Sequence, residues 1–182
     1  TIDSASLFNK ALEIIEAKEF FNLTASEIEV LIHPESLVHA IACFHDGGMK
    51  AHLGPADMRH AIAYALHEEQ RFKLSLDEVD LAEIGSLNFE KPDFTKYPSL
   101  ELGYDVVKHG GLAGAAFNAA KEEALDNFIS CKLSFPGMAD VVRATMDQLA
   151  SKNELDSEVE LDNIIALDSL ARSVAKTYIG KL

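Results

Sequence analysis

Few cysteines, no long apolar run and a shortage of positive charge set the first limits on this chain of 182 residues. Cys43 and Cys131 lie far apart and match no paired-thiol or zinc spacing, so they are expected to be buried, reduced thiols of a cytosolic-type protein. No stretch approaches the roughly 20 apolar residues of a membrane helix, and no charged-then-apolar signal precedes Thr1, so no membrane partner is expected. Only 16 Lys and Arg stand against 30 Asp and Glu, a net charge of -14 that argues against a phosphate-backbone surface for nucleic acid. A small anion stays admissible, because one lysine and a helix N-terminus can hold a phosphate locally.

What is there suits a globular protein. With 48% hydrophobic and 25% charged residues, the chain can bury the core of one large domain or two small ones. It opens with Thr1 rather than Met, in what reads as a strand end running into a helix, which suggests a fragment or a processed product. From about Ser4, Asn9, Glu13 and Glu16 recur at helical spacing on one face with Lys10 beside Glu13. Leu7, Ala11, Ile14 and Ile15 form the opposite, apolar face.

Further on, Ile28 to Ile32 has the β-branched content of a strand stopped by His33-Pro34, and Leu37 to Phe44 reads as a second strand. Asp46-Gly47-Gly48 is a hairpin turn signal, with Met49 to Leu53 returning. Asp57 is placed to cap a helix reaching about His67. Residues 68–93 lose helical period and read as an extended surface linker with a short strand-like piece, Ile84 to Phe89.

Beyond it the pattern is helical throughout. Pro98 suits a first turn, and His109-Gly110-Gly111 ends that helix. A long Ala-rich helix follows from Leu112 to Ile129, and a third opens at Ser134 and runs to about Ala150. Asn153 to Asp162 is expected to be mostly loop, and Asp168 to cap a last helix carrying Leu170, Val174 and Ile179. The expectation is an α+β chain: helix, β-hairpin and helix over 1–67, an extended linker over 68–93, and a four-helix bundle over 94–182.

One constellation carries chemistry, and several others invite it. Glu13 offers a hard oxygen ligand for a divalent metal, Lys10 a cation for phosphate, and Ser4 and Asn9 hydrogen bonds, although a solvated face with Lys10 paired to Glu13 or Glu16 explains the same spacing. His33, His39, His45 and His52 crowd around the hairpin but fit no compact metal signature. His67-Glu68-Glu69 lacks the second histidine of a zinc-protease helix. His109 to Gly114 follows a helix rather than a strand, so a turn between helices explains it better than a phosphate loop. Asn118 and Glu122 share a face of the Ala-rich helix, either as a buried register pair or as exposed groups.

The opening stretch closely resembles the 1-deoxy-D-xylulose 5-phosphate reductoisomerase family. That family reads Val-Asp-Ser-Ala-Thr-Met-Met-Asn-Lys-Gly-Leu-Glu where this chain has Ile2-Asp3-Ser4-Ala5-Ser6-Leu7-Phe8-Asn9-Lys10-Ala11-Leu12-Glu13. The resemblance continues through Glu29 to Ser36, Leu53 to Arg59, Tyr97-Pro98, Phe117 to Ala120 and Ala171-Arg172, and so spans the chain in order. It implies an NADPH-dependent enzyme that rearranges a sugar phosphate by a retro-aldol/aldol or related path and reduces the aldehyde to 2-C-methyl-D-erythritol 4-phosphate, in non-mevalonate isoprenoid synthesis. By matching positions, Ser4, Asn9 and Lys10 would hold the substrate phosphate. Glu13 would be one of three carboxylate ligands of Mg2+ or Mn2+, the catalytic metal, with Glu16 in support.

The resemblance also implies a homodimer, with the hairpin sheet at its interface, in the cytoplasm or a plastid-type organelle. The substitutions at Ser6, Leu7, Phe8 and Ala11 are mild packing changes. The family's NADPH domain, the Asp-Ser-Glu triplet that completes the metal site and the mobile loop over the substrate all precede the position matching Thr1. The chain by itself is therefore expected to have no reductoisomerase activity and weak metal affinity. A non-catalytic oligomerisation module, or a related NADPH-dependent oxidoreductase on the same scaffold, are the alternatives.

Overall fold

The computed structural model describes residues 2–68 and 70–182. The chain is α+β and divides into two compact units, one made of Thr1–Glu29 with Asp93–Leu182, the other of Val30–Pro92. The opening stretch thus groups with the C-terminal helices, and the second unit ends at Pro92.

In the helical unit, one turn of helix α1 (Ile2–Ala5) leads into α2 (Phe8–Phe21). The strand end expected at Thr1 lies outside the described residues, and Ile2 is already helical. Phe8, Ala11, Ile14 and Ile15 are buried, at the spacing that makes one face of a helix apolar. Phe8 rather than Leu7 enters the core, because the chain kinks at Leu7. Pro98 pre-sets the first turn of α5 (Pro98–His109), and α6 (Ala113–Ile129), α7 (Phe135–Ser151) and α8 (Leu161–Ile179) complete the bundle. For this numbering α3 is Met58–Leu66 and α4 is Leu81–Ile84.

The helices interlock through small residues. Between α2 and α6, the Phe8 and Phe117 rings lie 5.9 Å apart. Gly110 (φ 74°) and Gly111 (φ 55°) turn α5 into α6, and a Cβ on Gly111 would stand 2.9 Å from the Leu155 carbonyl oxygen. That confirms a turn between helices for the His109 to Gly114 segment. Ser134 caps α7 by accepting from the Gly137 amide at 3.2 Å. Asp168 is not a cap, contrary to expectation: α8 already runs from Leu161, and the Asp168 carboxylate accepts from Arg172 one turn on. The buried face of α8 is Leu167, Ala171, Val174 and Ala175, with Leu170 outside it.

In the other unit, β1 (Val38–Cys43) and β2 (Met49–Leu53) pair antiparallel, with Cys43 opposite Met49, Ile41 opposite Ala51 and an irregularity at His39. Gly47 (φ 85°) and an Asp46 carboxylate accepting from the Gly48 amide close the hairpin. Asp57 caps α3, as its position predicts.

Two expected strands are absent. Ile28 to Ile32 finds no neighbouring strand, so only Ile32 pairs, in an isolated bridge to Glu90. Ile84 to Phe89 starts at the end of α4 and then runs irregularly back to that bridge. Neither cysteine is buried: Cys43 ends an open hairpin strand and Cys131 sits in the turn after α6 at φ 57°, both free and exposed.

Candidate functional site

The exposed face of α2 is where the sequence-predicted residues converge. Asn9 Nδ2 donates to Glu13 Oε1 at 2.7 Å, and Lys10 Nζ donates to Glu13 Oε2 at 2.5 Å. Both spacings follow from helical geometry, which places residues three and four apart side by side. The Lys10 and Glu13 side chains are 37% and 45% exposed, so the pair is open to a ligand rather than sealed in the core. An ammonium carries three donors, and one of Lys10's faces Glu13.

Ser4 lies upstream on α1 with its side chain exposed, and it makes no side-chain hydrogen bond among the described residues. Glu16 is exposed one turn beyond Glu13 and joins no ion pair there. The structure thus brings Asn9, Lys10 and Glu13 together, while Ser4 makes no hydrogen bond to any of them and its carbonyl accepts from the Leu7 amide at 3.3 Å.

That backbone takes a sharp bend. Leu7 adopts φ 57°, ψ 18°, a left-handed conformation that costs a non-glycine residue roughly 1–2 kcal/mol. Local bonds offset this: the Ser6 amide and hydroxyl both donate to the Ile2 carbonyl at 2.9 Å, and the Ala11 amide donates to the Leu7 carbonyl at 3.0 Å. Two contacts from the bundle add to them. The buried Ser99 hydroxyl donates to the Ser6 carbonyl at 2.6 Å, and Lys121 Nζ donates to Asp3 Oδ2 at 3.0 Å. Asp3, Ser99 and Lys121 were not singled out from sequence. Lys121 carried a signal, since it shares the spacing of Phe117, Ala120 and Ala124 on the buried stripe of α6.

Glu13 fits a divalent cation as one oxygen ligand. A complete centre is not present, because among the described residues no three His, Cys, Asp or Glu side chains are grouped to hold a metal ion.

The histidines serve other ends. His39 Nε2 lies 3.1 Å from the Gly54 carbonyl, and the His52 ring stands 6.0 Å from His39 and 5.4 Å from His60. Partial desolvation, then the nearby His60, His39 and Arg71, hold the His52 imidazole below its usual value. His33 stacks on Phe89 at 4.6 Å, with Nδ1 2.7 Å from the Asn88 carbonyl and 3.0 Å from Glu35 Oε2. A groove of about 870 Å³ lined by Lys18, Thr24, Ser26, Phe94, Tyr104 and Lys108 contains none of the expected residues.

Fold and site together define an α+β protein whose helical bundle carries an amide, an ammonium and a carboxylate on one open turn. The family profile of the DXP reductoisomerase C-terminal domain matches residues 53–174, and the chain belongs to that family. It is 52% identical over 155 residues to the 1-deoxy-D-xylulose 5-phosphate reductoisomerase of Jannaschia sp. (strain CCS1), covering 85% of this chain and 39% of the relative. To the enzyme of that name from Ruegeria pomeroyi it is 55% identical over 148 residues, covering 81% and 38%.

Among solved structures, the Zymomonas mobilis reductoisomerase in complex with NADPH superposes with a TM-score of 0.89 at 32% identity, covering 100% of this chain and 47% of the other. A DOX-P reductoisomerase in complex with NADPH, fosmidomycin and magnesium gives 0.92 at 36% identity, covering 98% and 45%. The chain therefore spans about two-fifths of the length of the curated relatives it matches.

Proposed function

We propose that this chain is part of an NADPH- and divalent-metal-dependent reductoisomerase that converts 1-deoxy-D-xylulose 5-phosphate to 2-C-methyl-D-erythritol 4-phosphate in non-mevalonate isoprenoid synthesis. The observation that carries the reading is the convergence of Asn9, Lys10 and Glu13 on one open turn of α2. Lys10 and Asn9 supply a cation and an amide donor for the phosphate, with the exposed Ser4 hydroxyl from α1 as a third group. Glu13 donates one oxygen to Mg2+ or Mn2+, and Glu16 supports it from one turn away. The metal, when bound, polarises the sugar oxygens. The other metal ligands and the NADPH site belong to the portion of the relatives that this chain does not match.

The second unit bears on assembly. Ile41, Met49 and Leu53 on the two-stranded sheet, Phe44 in its connecting turn and Met58 and Ile62 on α3 are all exposed. A hairpin this open is marginal in water. A second copy of the protein covers this face in the reading proposed here, giving a homodimer, with the cytoplasm or a plastid-type organelle as its setting.

The test adds the missing part of such an enzyme in trans. The chain alone is expected to oxidise no NADPH with deoxyxylulose phosphate and Mn2+, and the mixture to do so. Stable dimers with no rescue would favour a non-catalytic oligomerisation module, and rescue on a different substrate only would favour a related oxidoreductase.

A further inference from the structure

The turn that carries Ser4 has little of its own to hold it in place. Helix α1 is four residues long and buries none of them, and it is followed at once by the left-handed bend at Leu7. A segment without apolar burial is positioned by its polar contacts or not at all. Two such contacts reach it from far along the chain. Lys121, on the buried stripe of α6, is 8% exposed at its side chain and meets Asp3, the neighbour of Ser4, at 3.0 Å. Ser99, at the start of α5 and 1% exposed, donates to the carbonyl of Ser6 at 2.6 Å. The two grip α1 and the bend from either side of Ser4 in sequence.

A buried ammonium is costly unless it is paired, and Asp3 is the only ion-pair partner of Lys121 among the described residues. The next acidic residues on α6 are engaged elsewhere: Glu122 receives Arg172 at 2.5 Å, and Glu123 faces Lys176 at 3.5 Å and Asn127 at 3.0 Å. Lys121 also lies near enough to Glu122 to act on its charge, but its ion pair is made to Asp3.

We propose that Lys121 and Ser99 are positioning residues for the phosphate end of the substrate, acting through Asp3 and Ser6 to set Ser4 against the Asn9–Lys10 turn. The inference rests on the reading of Ser4, Asn9 and Lys10 as phosphate-binding groups. It assigns a function to two residues of the C-terminal bundle that touch no reacting atom.

The experiment uses the complete reductoisomerase that contains this chain, with deoxyxylulose phosphate as substrate and inorganic phosphate as a competing probe of the phosphate end. Lys121→Met and Ser99→Ala are each expected to raise KM and the inhibition constant of phosphate by the same factor, about tenfold, as loss of one charge-assisted or buried hydrogen bond implies. The kcat should stay within about twofold, since the reacting atoms are untouched. Exchanging the pair, Asp3→Lys with Lys121→Asp, is expected to recover much of the loss. If Lys121→Met proves too unstable to assay, Asp3→Asn removes the same ion pair from its more exposed side.

A parallel fall in kcat with unchanged KM and phosphate inhibition would overturn the proposal, as would wild-type values in Asp3→Asn. Ser4→Ala and Lys10→Ala serve as reference. If these also leave KM and phosphate inhibition unchanged, the reading of the phosphate site has failed rather than the positioning.

Discussion

Gly103 on α5 lies against Ala11 on α2 so closely that a Cβ added to the glycine would meet the alanine Cβ at 3.0 Å and its Cα and carbonyl oxygen at 3.1 Å. This close approach seats the α2 helix, and with it Asn9, Lys10 and Glu13, on the bundle. In an exposed helix, exchanging glycine for alanine gains about 1 kcal/mol of helical preference. Here the added methyl meets backbone, which cannot rotate away, and overpacking of that kind costs about 1–3 kcal/mol. Gly103→Ala is expected to destabilise the chain by about 1 kcal/mol net, and Gly103→Leu by considerably more, read as a lowered urea midpoint with an unchanged slope.

Glu13 gives the site its charge. Glu13→Gln keeps an oxygen for the Asn9 amide and removes the partner of Lys10. The helix is expected to persist, because the pair is exposed and such pairs contribute about 0.5 kcal/mol or less. In the complete enzyme, the apparent Mn2+ affinity should fall by at least the roughly 10- to 100-fold that loss of an outer-sphere partner costs. Titration of activity with Mn2+ checks this, and an unchanged half-saturation point would remove Glu13 from the metal.

Arg172 ties α8 to α6. Its guanidinium donates to Asp168 at 2.8 and 3.2 Å and to Glu122 at 2.5 Å. The hydrogen bond from Arg172 is the main reason the Glu122 carboxyl sits below its ordinary value of 4.5. A depressed carboxylate stabilises the fold above the unfolded value and loses that contribution as pH falls through its folded value. Arg172→Met is therefore expected to destabilise the chain at pH 7 by about 1 kcal/mol, the figure being modest because the groups are partly exposed. It should also flatten the loss of stability below about pH 4.5. Denaturation curves from pH 7 to 3 on both chains make the comparison.

Much of the fold was legible where the signal is local. Pro98, Ser134, Gly110 and Asp57 placed helix ends to within about a residue, because a cap or a positive φ is decided by neighbours in sequence. Asp168 misled for a related reason: an aspartate ahead of an apolar stripe signals a cap, yet with Arg172 four residues on it serves equally well inside a helix. Ile28 to Ile32 has strand composition, but a strand exists only with a partner, and just one residue finds it.

The grouping of α2 with the C-terminal helices depends on the fit of Ala11 to Gly103, some 90 residues away, which no pattern announces. The polar face of α2 was readable from its spacing. The bend at Leu7 was not, since leucine gives no hint of a left-handed backbone.

Asp57 offers a test of capping by titration. Its carboxylate accepts from the Arg59 amide at 2.9 Å, completing the first turn of α3, and pairs with the Arg59 guanidinium at 2.6 Å. Those side-chain hydrogen bonds, foremost, lower its carboxyl to about 2 from an ordinary 3.8. With the folded value depressed, the charge-assisted part of the cap and its pairing with Arg59 are fully present above about pH 4 and are lost as pH falls toward 2. Asp57→Asn keeps an oxygen to accept from the Arg59 amide but has no proton to gain. Its α3 amides are expected to stay protected, with no acid-dependent step between pH 4 and 2. Asp57→Ala loses the acceptor, so α3 should fray at every pH. Hydrogen exchange at Arg59 and the following amides separates the three chains. Equal exchange in all of them would mean that the side chain at this position does not set the start of the helix.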